Sequence, residues 1–214
     1  AQGSPGLKRE LSGQSKETAL RLPVTRDIFG ADFPEWADNE LVRCRKAGVA
    51  LVTFGQAGYP SGLRNLPDPP AFLYVKGALH EQDQAAVAIV GSRRASLYGL
   101  RVARDLGRQA GRLGLTVISG LARGVDTAAH EGALEAGGRT IGVLGCGVDV
   151  VYPKENRHLF DTVASAGALV TEFPFGTSPK PGHFPVRNRI IAGMSAAVVV
   201  VEAARDSGSL ITAS

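Results

Sequence analysis

The chain has 214 residues, of which 44% are hydrophobic and 21% are charged, proportions that exclude wholesale disorder. Its apolar runs, such as residues 196–201, are much shorter than the ~18 to 20 residues of a membrane span. The first twenty residues are polar, so we expect no signal peptide there. The two cysteines, Cys44 and Cys146, are far apart in sequence and in no metal-ligand spacing. We therefore expect neither a disulfide framework nor a cysteine-ligated zinc site, and a cytoplasmic location.

The net charge of +4 comes entirely from residues 86–214. Residues 1–85 hold ten basic and ten acidic side chains, whereas the remainder holds fourteen basic and ten acidic ones. All but two of those fourteen are arginine, whose planar fork of donors suits phosphate oxygens. So small an excess is also what an ordinary solvated surface carries, so charge alone indicates a nucleic-acid partner only weakly.

The first 82 residues predict a tail followed by a small domain. Residues 1–20 are typical of a flexible tail. Residues 21–82 predict a small, mainly helical domain, with one helix starting near Asp38 and two short extended runs at 49–54 and 71–75. This segment contains no catalytic constellation.

From Val87 onward, short apolar runs recur about every 25 to 28 residues. Their positions are residues 87–90, 115–118, 140–144, 168–171 and 196–201. Between the first two, apolar residues at helical spacing mark one face of a helix over 97–113. Such alternation predicts βαβ units and a parallel sheet that is buried on both faces. We therefore predict an α/β fold with a doubly wound, Rossmann-like domain over residues 83–214, and we expect a further strand beyond Ser214.

The loop after each predicted strand is rich in glycine or in polar residues. In an open parallel sheet, ligands bind beyond the carboxyl ends of the strands, near the point where strand order reverses. Glycine allows close backbone approach, and serine and arginine supply hydrogen-bond donors. We hypothesise the strand order 3-2-1-4-5, which would place Arg93 opposite residues 187–189. The candidate ligand-binding residues at this edge are Gly91, Ser92, Arg93, Arg94, Ser119, Gly120, Phe184, Arg187, Asn188, Arg189, Ser207, Gly208 and Ser209.

Common nucleotide-binding and catalytic motifs are missing from the sequence. There is no P-loop, and residues 145–147 lack the third glycine of a dinucleotide-binding loop. There is no G-x-S-x-G nucleophile elbow, and the four histidines form no i,i+4 ligand pair. We therefore predict no cofactor and no metal.

Several residues have both a structural and a functional interpretation. We interpret His130 as structural and Cys146 as a small buried hydrophobe. Glu172 and Glu202 could be catalytic carboxylates, but we favour hydrogen bonds to loop backbone or pairing with arginine. Phe184 fits a core position and a platform for a stacked base equally well. A lone glycine at such a turn is more often only a turn, so the convergence of five loops on one edge is what favours a site.

Six motifs occur in order in residues 90–213. They are V-G-S-R-R-A-S-x-Y-G (90–99), S-G-L-A-R-G-V-D-x-x-A-H (119–130), G-C-G-V-D-x-x-Y-P-x-E-N (145–156), E-F-P (172–174), F-P-x-R-N-R-I-I-A-G (184–193) and V-E-A-x-x-x-S-G-S-L-I-T-A (201–213). Together they resemble the DNA-processing protein A (DprA/Smf) family. The resemblance is dense over residues 86–214.

This resemblance implies a protein that binds single-stranded DNA and is not an enzyme. Family members protect incoming strands during natural transformation, load the recombinase RecA and form homodimers. The implied fold is an extended Rossmann domain preceded by a small helical (SAM-like) domain. Part of the family's dimer and recombinase surface lies in later Rossmann segments, so dimerisation is expected only with the complete domain.

The family's DNA pocket can be carried over residue by residue. It places Arg93 on a phosphate, lets backbone reach the strand at Ser119 and Gly120, and lines the pocket with the side chains of 184, 187 and 188. Residues 207–209 close the pocket. Some members have a lysine at the position of Pro181; here Lys180 is the neighbour.

Two other classes of function remain open. A nucleoside-monophosphate glycosidase could use Glu202 with Arg93 on a ribose phosphate, although the P-G-G-x-G-T-x-x-E motif of that family is absent. A pure interaction scaffold would bind no nucleic acid at all.

Overall fold

A single sheet runs through the part of the chain described by this computed structural model, residues 33–203. Its strands are β1 Val49–Thr53, β2 Phe72–Gly77, β3 Ala86–Gly91, β4 Thr116–Ser119, β5 Thr140–Val143, β6 Ala168–Thr171 and β7 Ala197–Val201. The helices are α1 Phe33–Ala47, α2 Leu97–Arg112, α3 Val125–Glu135, α4 Arg157–Ala166 and α5 His183–Gly193. The predicted tail and the candidate residues Ser207, Gly208 and Ser209 lie outside the described residues.

Five neighbouring strands of the sheet are parallel, which confirms the predicted α/β architecture. The strand order is β1-β2-β6-β5-β4-β3-β7. All pairs among β3 to β7 are parallel, and β1 and β2 add antiparallel pairs at the β6 side. The five strands predicted from Val87 onward are present, with ends shifted by at most one residue.

The hypothesised strand order is wrong. Numbered within the parallel part, the strands lie in the order 4-3-2-1-5, because β4, β5 and β6 are added successively on one side of β3. The chain then returns across the whole parallel part to place β7 on the other side of β3. Strand order therefore reverses between β3 and β7, so the first and fifth strands flank the crevice.

Side chains alternate between the two faces of the sheet and build two layers of core. One face holds Ala88, Val90, Ile118, Ile141 and Val143, packed with Leu63, with Ile190 and Ile191 of α5, and with Met194 just after that helix. The other face packs against α2 and α3 at one end and against α4 at the other. Successive right-handed crossovers in one direction place α2, α3 and α4 on one face, and the return crossover places α5 on the opposite face. This return brings the first turn of α5 to the carboxyl edge of the sheet.

The sheet crosses the domain boundary that the sequence predicted near residue 83. Val75 of β2 pairs with Val170 of β6, so the two short extended runs of the first domain are edge strands of the same sheet. Of the described residues, 37–203 belong to one compact unit. The α1 helix begins at Phe33 rather than near Asp38, since Pro34 in its first turn removes no intrahelical hydrogen bond.

In residues 33–203, no helix has the length and apolar character to cross a bilayer. The same residues contain no cluster of His, Cys, Asp and Glu arranged to hold a metal ion.

Candidate functional site

A pocket opens at the carboxyl edge of the parallel strands, where three loops meet the first turn of α5. The loops follow β3, β4 and β5. Side chains and backbone of ten residues line it: Arg93, Gly120, Ala122, Arg123, Leu144, Gly145, Cys146, Tyr152, Pro153 and Phe184. Three of these, Arg93, Gly120 and Phe184, are candidates from the sequence, so the predicted edge and the observed pocket coincide in part.

Two aromatic rings and one guanidinium group form the outer wall of the pocket. The Phe184 and Tyr152 ring centroids are 5.7 Å apart, with their planes tilted by 33°. The guanidinium carbon of Arg93 lies 4.7 Å from the centre of the Phe184 ring, which is a cation–π contact. Arg93 is exposed, and in the part of the chain that the structure describes no carboxylate pairs with it. Its N–H groups are thus available to an anion at the mouth of the pocket.

Arg187 lies behind the pocket and is only 4% exposed. Its guanidinium donates to the carbonyl oxygens of Gly120, at 3.0 Å, and of Val143, and its Nε donates to the side chain of Asn188 at 3.2 Å. Burial lowers the pKa of Arg187 to about 10; the negative charge of Asp126 opposes this and the positive charge of Arg93 adds to it. The donors of Arg187 therefore tie two strand ends to α5, and the side chain acts as a positioning residue.

Gly120 is a glycine because Arg187 occupies the space beside its Cα. A Cβ atom at this position would lie 2.6 Å from the guanidinium carbon of Arg187. The Gly120 N–H donates to the Asp126 carboxylate at 3.1 Å, and the Ala122 N–H donates to the same oxygen at 3.3 Å. Burial raises the pKa of Asp126, against the opposing effects of Arg187 and these two N–H groups. The turn after β4 is thus fixed from both sides, and Leu121 within it has a left-handed φ of 53°.

The two glutamates that could be catalytic are both engaged in the structure. Glu172 accepts two hydrogen bonds from Arg189, at 3.0 and 2.6 Å. Glu202 accepts from the Ser96 backbone N–H at 2.6 Å and from the Ser96 hydroxyl. These hydrogen bonds lower the pKa of Glu202. The favoured interpretation of both carboxylates, pairing with arginine and binding loop backbone, matches their contacts.

Arg189 and Ser119 are drawn into internal contacts rather than into the pocket. The Arg189 guanidinium pairs with Glu172 and lies 3.7 Å from Asp68. The Ser119 hydroxyl is buried and donates to the carbonyl of Ile89 at 2.6 Å. At this edge, residue type alone therefore did not separate binding groups from structural ones.

Four other candidates do not line the pocket. Val201 fills the space beside the Cα of Gly91, which makes that glycine a packing position. The Ser92 hydroxyl accepts from the Arg94 backbone N–H at 3.1 Å, and the Arg94 side chain is exposed. Lys180 is exposed in the loop before α5.

His130 and Cys146 are buried, as their structural interpretation predicts. The His130 ring is fully buried, with its Nδ1 2.6 Å from the Thr140 hydroxyl, and burial lowers its pKa to about 3. Cys146 is 2% exposed, and burial raises its thiol pKa to about 11. Both are therefore uncharged near neutral pH.

Seven of the ten lining residues are not among the candidates from the sequence, Arg123, Gly145 and Pro153 among them. Arg123 stands at the rim and pairs with Glu155. Gly145 supports the aromatic wall, since a Cβ there would lie 2.9 Å from the Phe184 ring. The G-C-G-V-D-x-x-Y-P motif was the available signal, because it brings Gly145 and Pro153 into one long loop after β5.

The chemistry of the pocket suits a flat, anionic ligand. Leu144, Pro153 and the two aromatic rings offer apolar surface for a planar group. Arg93 offers a charged fork of donors at the mouth. A nucleobase on the aromatic surface with its phosphate on the guanidinium satisfies both features.

Comparison with known proteins adds independent evidence. The family model for DNA recombination-mediator protein A matches residues 50–214. The chain is 37% identical over 211 residues to the DNA processing protein DprA of Bacillus subtilis, covering 98% of this chain and 69% of that protein. It is 46% identical over 167 residues to protein Smf of a Synechocystis species, covering 76% of this chain but only 42% of that relative. The chain thus spans well under half of the Synechocystis protein.

Solved structures agree with these sequence matches. The X-ray structure of DprA from Streptococcus pneumoniae superposes with a TM-score of 0.74 at 38% identity, over 84% of this chain and 64% of that one. A structure of DprA from Helicobacter pylori, described for its single-stranded DNA binding mode, gives a TM-score of 0.69 at 29% identity, over 78% of this chain and 75% of that one.

Proposed function

The chain belongs to the DNA recombination-mediator protein A family, and we propose that it binds single-stranded DNA in the pocket at the carboxyl edge of its sheet. In this proposal Arg93 contacts a backbone phosphate, and Phe184 with Tyr152 provides the surface on which a base stacks. The observation that carries the proposal is the exposed Arg93 guanidinium, which lies on the Phe184 ring and is free of any carboxylate within residues 33–203.

Sequence-independent binding follows from these groups. A phosphate contact is the same at every nucleotide, and every base has a face that can stack on an aromatic ring. Leu144, Cys146 and Pro153 offer no charged or amide group that would read one base edge. We therefore expect little preference among sequences and a strong dependence on salt.

Arg187 and Asn188 support this site from behind. Arg187 holds the loops after β4 and β5 at fixed positions relative to α5 through its two carbonyl contacts. Its positive charge also lies close enough to Arg93 to contribute to the potential at the pocket. Lys180 and Arg94, both exposed, would contact phosphates outside the pocket.

We propose that the protein serves DNA recombination and natural transformation, protects incoming strands and helps to load RecA. A homodimer of the complete domain is part of this proposal. The contacts of Glu202 disfavour the alternative function, a nucleoside-monophosphate glycosidase that would use Glu202 with Arg93. The Glu202 carboxylate is bound to Ser96 at the start of α2.

Replacement of Arg93 tests the proposal. Arg93→Ala should weaken binding of labelled single-stranded oligonucleotides to a similar extent for all sequences, and should reduce the slope of log K against log salt by about 0.7. Fluorescence anisotropy over a salt series measures both, with a matched duplex for comparison. Arg112→Ala, at the far end of α2, removes the same charge from an exposed position and should leave affinity unchanged. Equal affinities for the parent and Arg93→Ala would show that Arg93 does not contact the DNA.

A further inference from the structure

A groove between α2 and α3 begins at Arg93 and shares that residue with the pocket. We propose that it carries the phosphate backbone of the same single strand away from the pocket, with Arg94 and Arg101 on successive phosphates. This inference rests on the proposed function. The residues that line the groove are Arg93, Arg94, Ala95, Leu97, Leu100, Arg101, Arg104, Gly124, Thr127, Ala128 and Glu131.

Charge is distributed unevenly along this groove. Arg93, Arg94 and Arg101, near the pocket, are exposed, and none of them is ion-paired within residues 33–203. Arg104, at the far end, pairs with Glu131 at 3.3 Å and with Glu135. The near end therefore carries positive charge that the protein leaves uncompensated, and the far end is neutralised. That gradient matches a polyanion that leaves the pocket and ends its contact near Arg104.

Helical spacing sets how much of a strand the groove can hold. Leu97, Arg101 and Arg104 follow one another on one face of α2, at i, i+4 and i+7. Seven residues of helix span about 10 Å. One strand of a duplex advances ~3.4 Å along the helix axis per phosphate, and the phosphates themselves lie farther apart, so about three phosphates is the upper limit for this length. The groove thus extends the site by a few nucleotides.

The start of α2 offers apolar contact as well as charge. Leu97 is 78% exposed and its neighbour Tyr98 is 76% exposed. Two large, adjacent apolar side chains at the first turn of a helix are unusual on a solvated surface. Beside Arg94 and Arg101, Leu97 can pack against sugars and Tyr98 can stack with a base.

The groove is rigid because α2 and α3 pack at very short range. A Cβ atom added at Gly107 would collide with the carbonyl oxygen of Ala129, and one added at Gly132 would collide with the carbonyl oxygen of Arg104. The turn that carries Arg94 is fixed by the Ser92 hydroxyl at one side and by the Ser96 cap of α2 at the other. Because the walls of the groove are already fixed, binding of a strand does not carry the entropic cost of ordering them.

The test compares a short oligothymidylate, long enough only to fill the pocket, with one roughly three times as long that also reaches the groove. Anisotropy over a salt series gives Kd and the salt slope for the parent, Arg101→Ala and the double variant Arg94→Ala/Arg101→Ala. Arg93→Ala reports on the pocket, and Arg112→Ala is the matched control on the same helix.

We expect Arg101→Ala to weaken binding of the long strand by about two- to fivefold and to lower its salt slope by about 0.7, with no change for the short strand. The double variant should show about twice the loss of slope. If Arg93→Ala weakens binding but the double variant binds both lengths like the parent, the groove does not bind the strand, whereas the proposed role of the pocket is retained. If the parent binds neither length, both the proposed role of the groove and the proposed function are wrong.

Discussion

Two arginines at the same edge of the sheet have opposite environments. Arg93, in the loop after β3, is exposed and rests on an aromatic ring, whereas Arg187, in α5, is 4% exposed and donates to backbone carbonyls. Both belong to arginine-rich segments that follow a strand. The difference teaches that an arginine serves a ligand only when the protein leaves its donors unused, and that burial rather than sequence position decides this.

The largest change in the free energy of unfolding should come from Arg187→Ala. This change leaves two buried carbonyl groups without a donor and the buried Asp126 carboxylate without the nearby positive charge. We expect a loss of about 3 to 5 kcal/mol in the free energy of unfolding, measured by urea denaturation.

Arg93→Ala is the matched comparison for this loss, since an exposed side chain should change stability by no more than about 0.5 kcal/mol. If the Arg187→Ala protein is as stable as the parent but no longer binds DNA, Arg187 contacts the DNA itself and is not a positioning residue.

A smaller effect is expected for Gly120→Ala. The new methyl group would lie 2.6 Å from the Arg187 guanidinium carbon, and Arg187 is held by its carbonyl contacts. Overpacking of this kind costs about 1 to 3 kcal/mol, measured again by denaturation. Gly182→Ala is a suitable control, because that glycine has open space around it and a helical φ of −68°. Unchanged stability with weakened DNA binding would mean that Gly120 serves ligand approach instead.

The sequence predicted the strands well because each is a short apolar run bounded by turn residues. The predicted strand order is wrong because no local sequence feature shows whether the last strand pairs with β3 or with β6. The long connection through α5 places β7 beside β3. The failure had a small consequence, because that same return brings Phe184 to Arg93. Turn-rich sequence around β1 and β2 predicts a separate domain, but β2 pairs with the distant β6 and β1 pairs with β2, so both strands lie in the same sheet.

Within the site, residue type indicated the correct edge of the sheet but not the use of each side chain. Arg187 and Arg189 resemble Arg93 in sequence, yet their partners come from distant segments: Gly120, Val143 and Glu172. Pairing of this kind depends on the fold. The dense F-P-x-R-N-R-I-I pattern contained one hint, since apolar residues follow the arginines directly and draw the helix into the core.

The smallest effect concerns the anchor of the loop that carries Arg93. The Glu202 carboxylate accepts from Ser96 at the start of α2, and these hydrogen bonds lower its pKa. A carboxyl whose pKa is lowered by folding contributes stability above its unfolded value of about 4.3 and loses that contribution as pH falls through the folded pKa. Glu202→Gln should therefore be slightly less stable than the parent at neutral pH, and the two should converge in acid, as measured by urea denaturation at both pH values. A difference that is the same at both would mean that the Glu202 charge does not hold the loop.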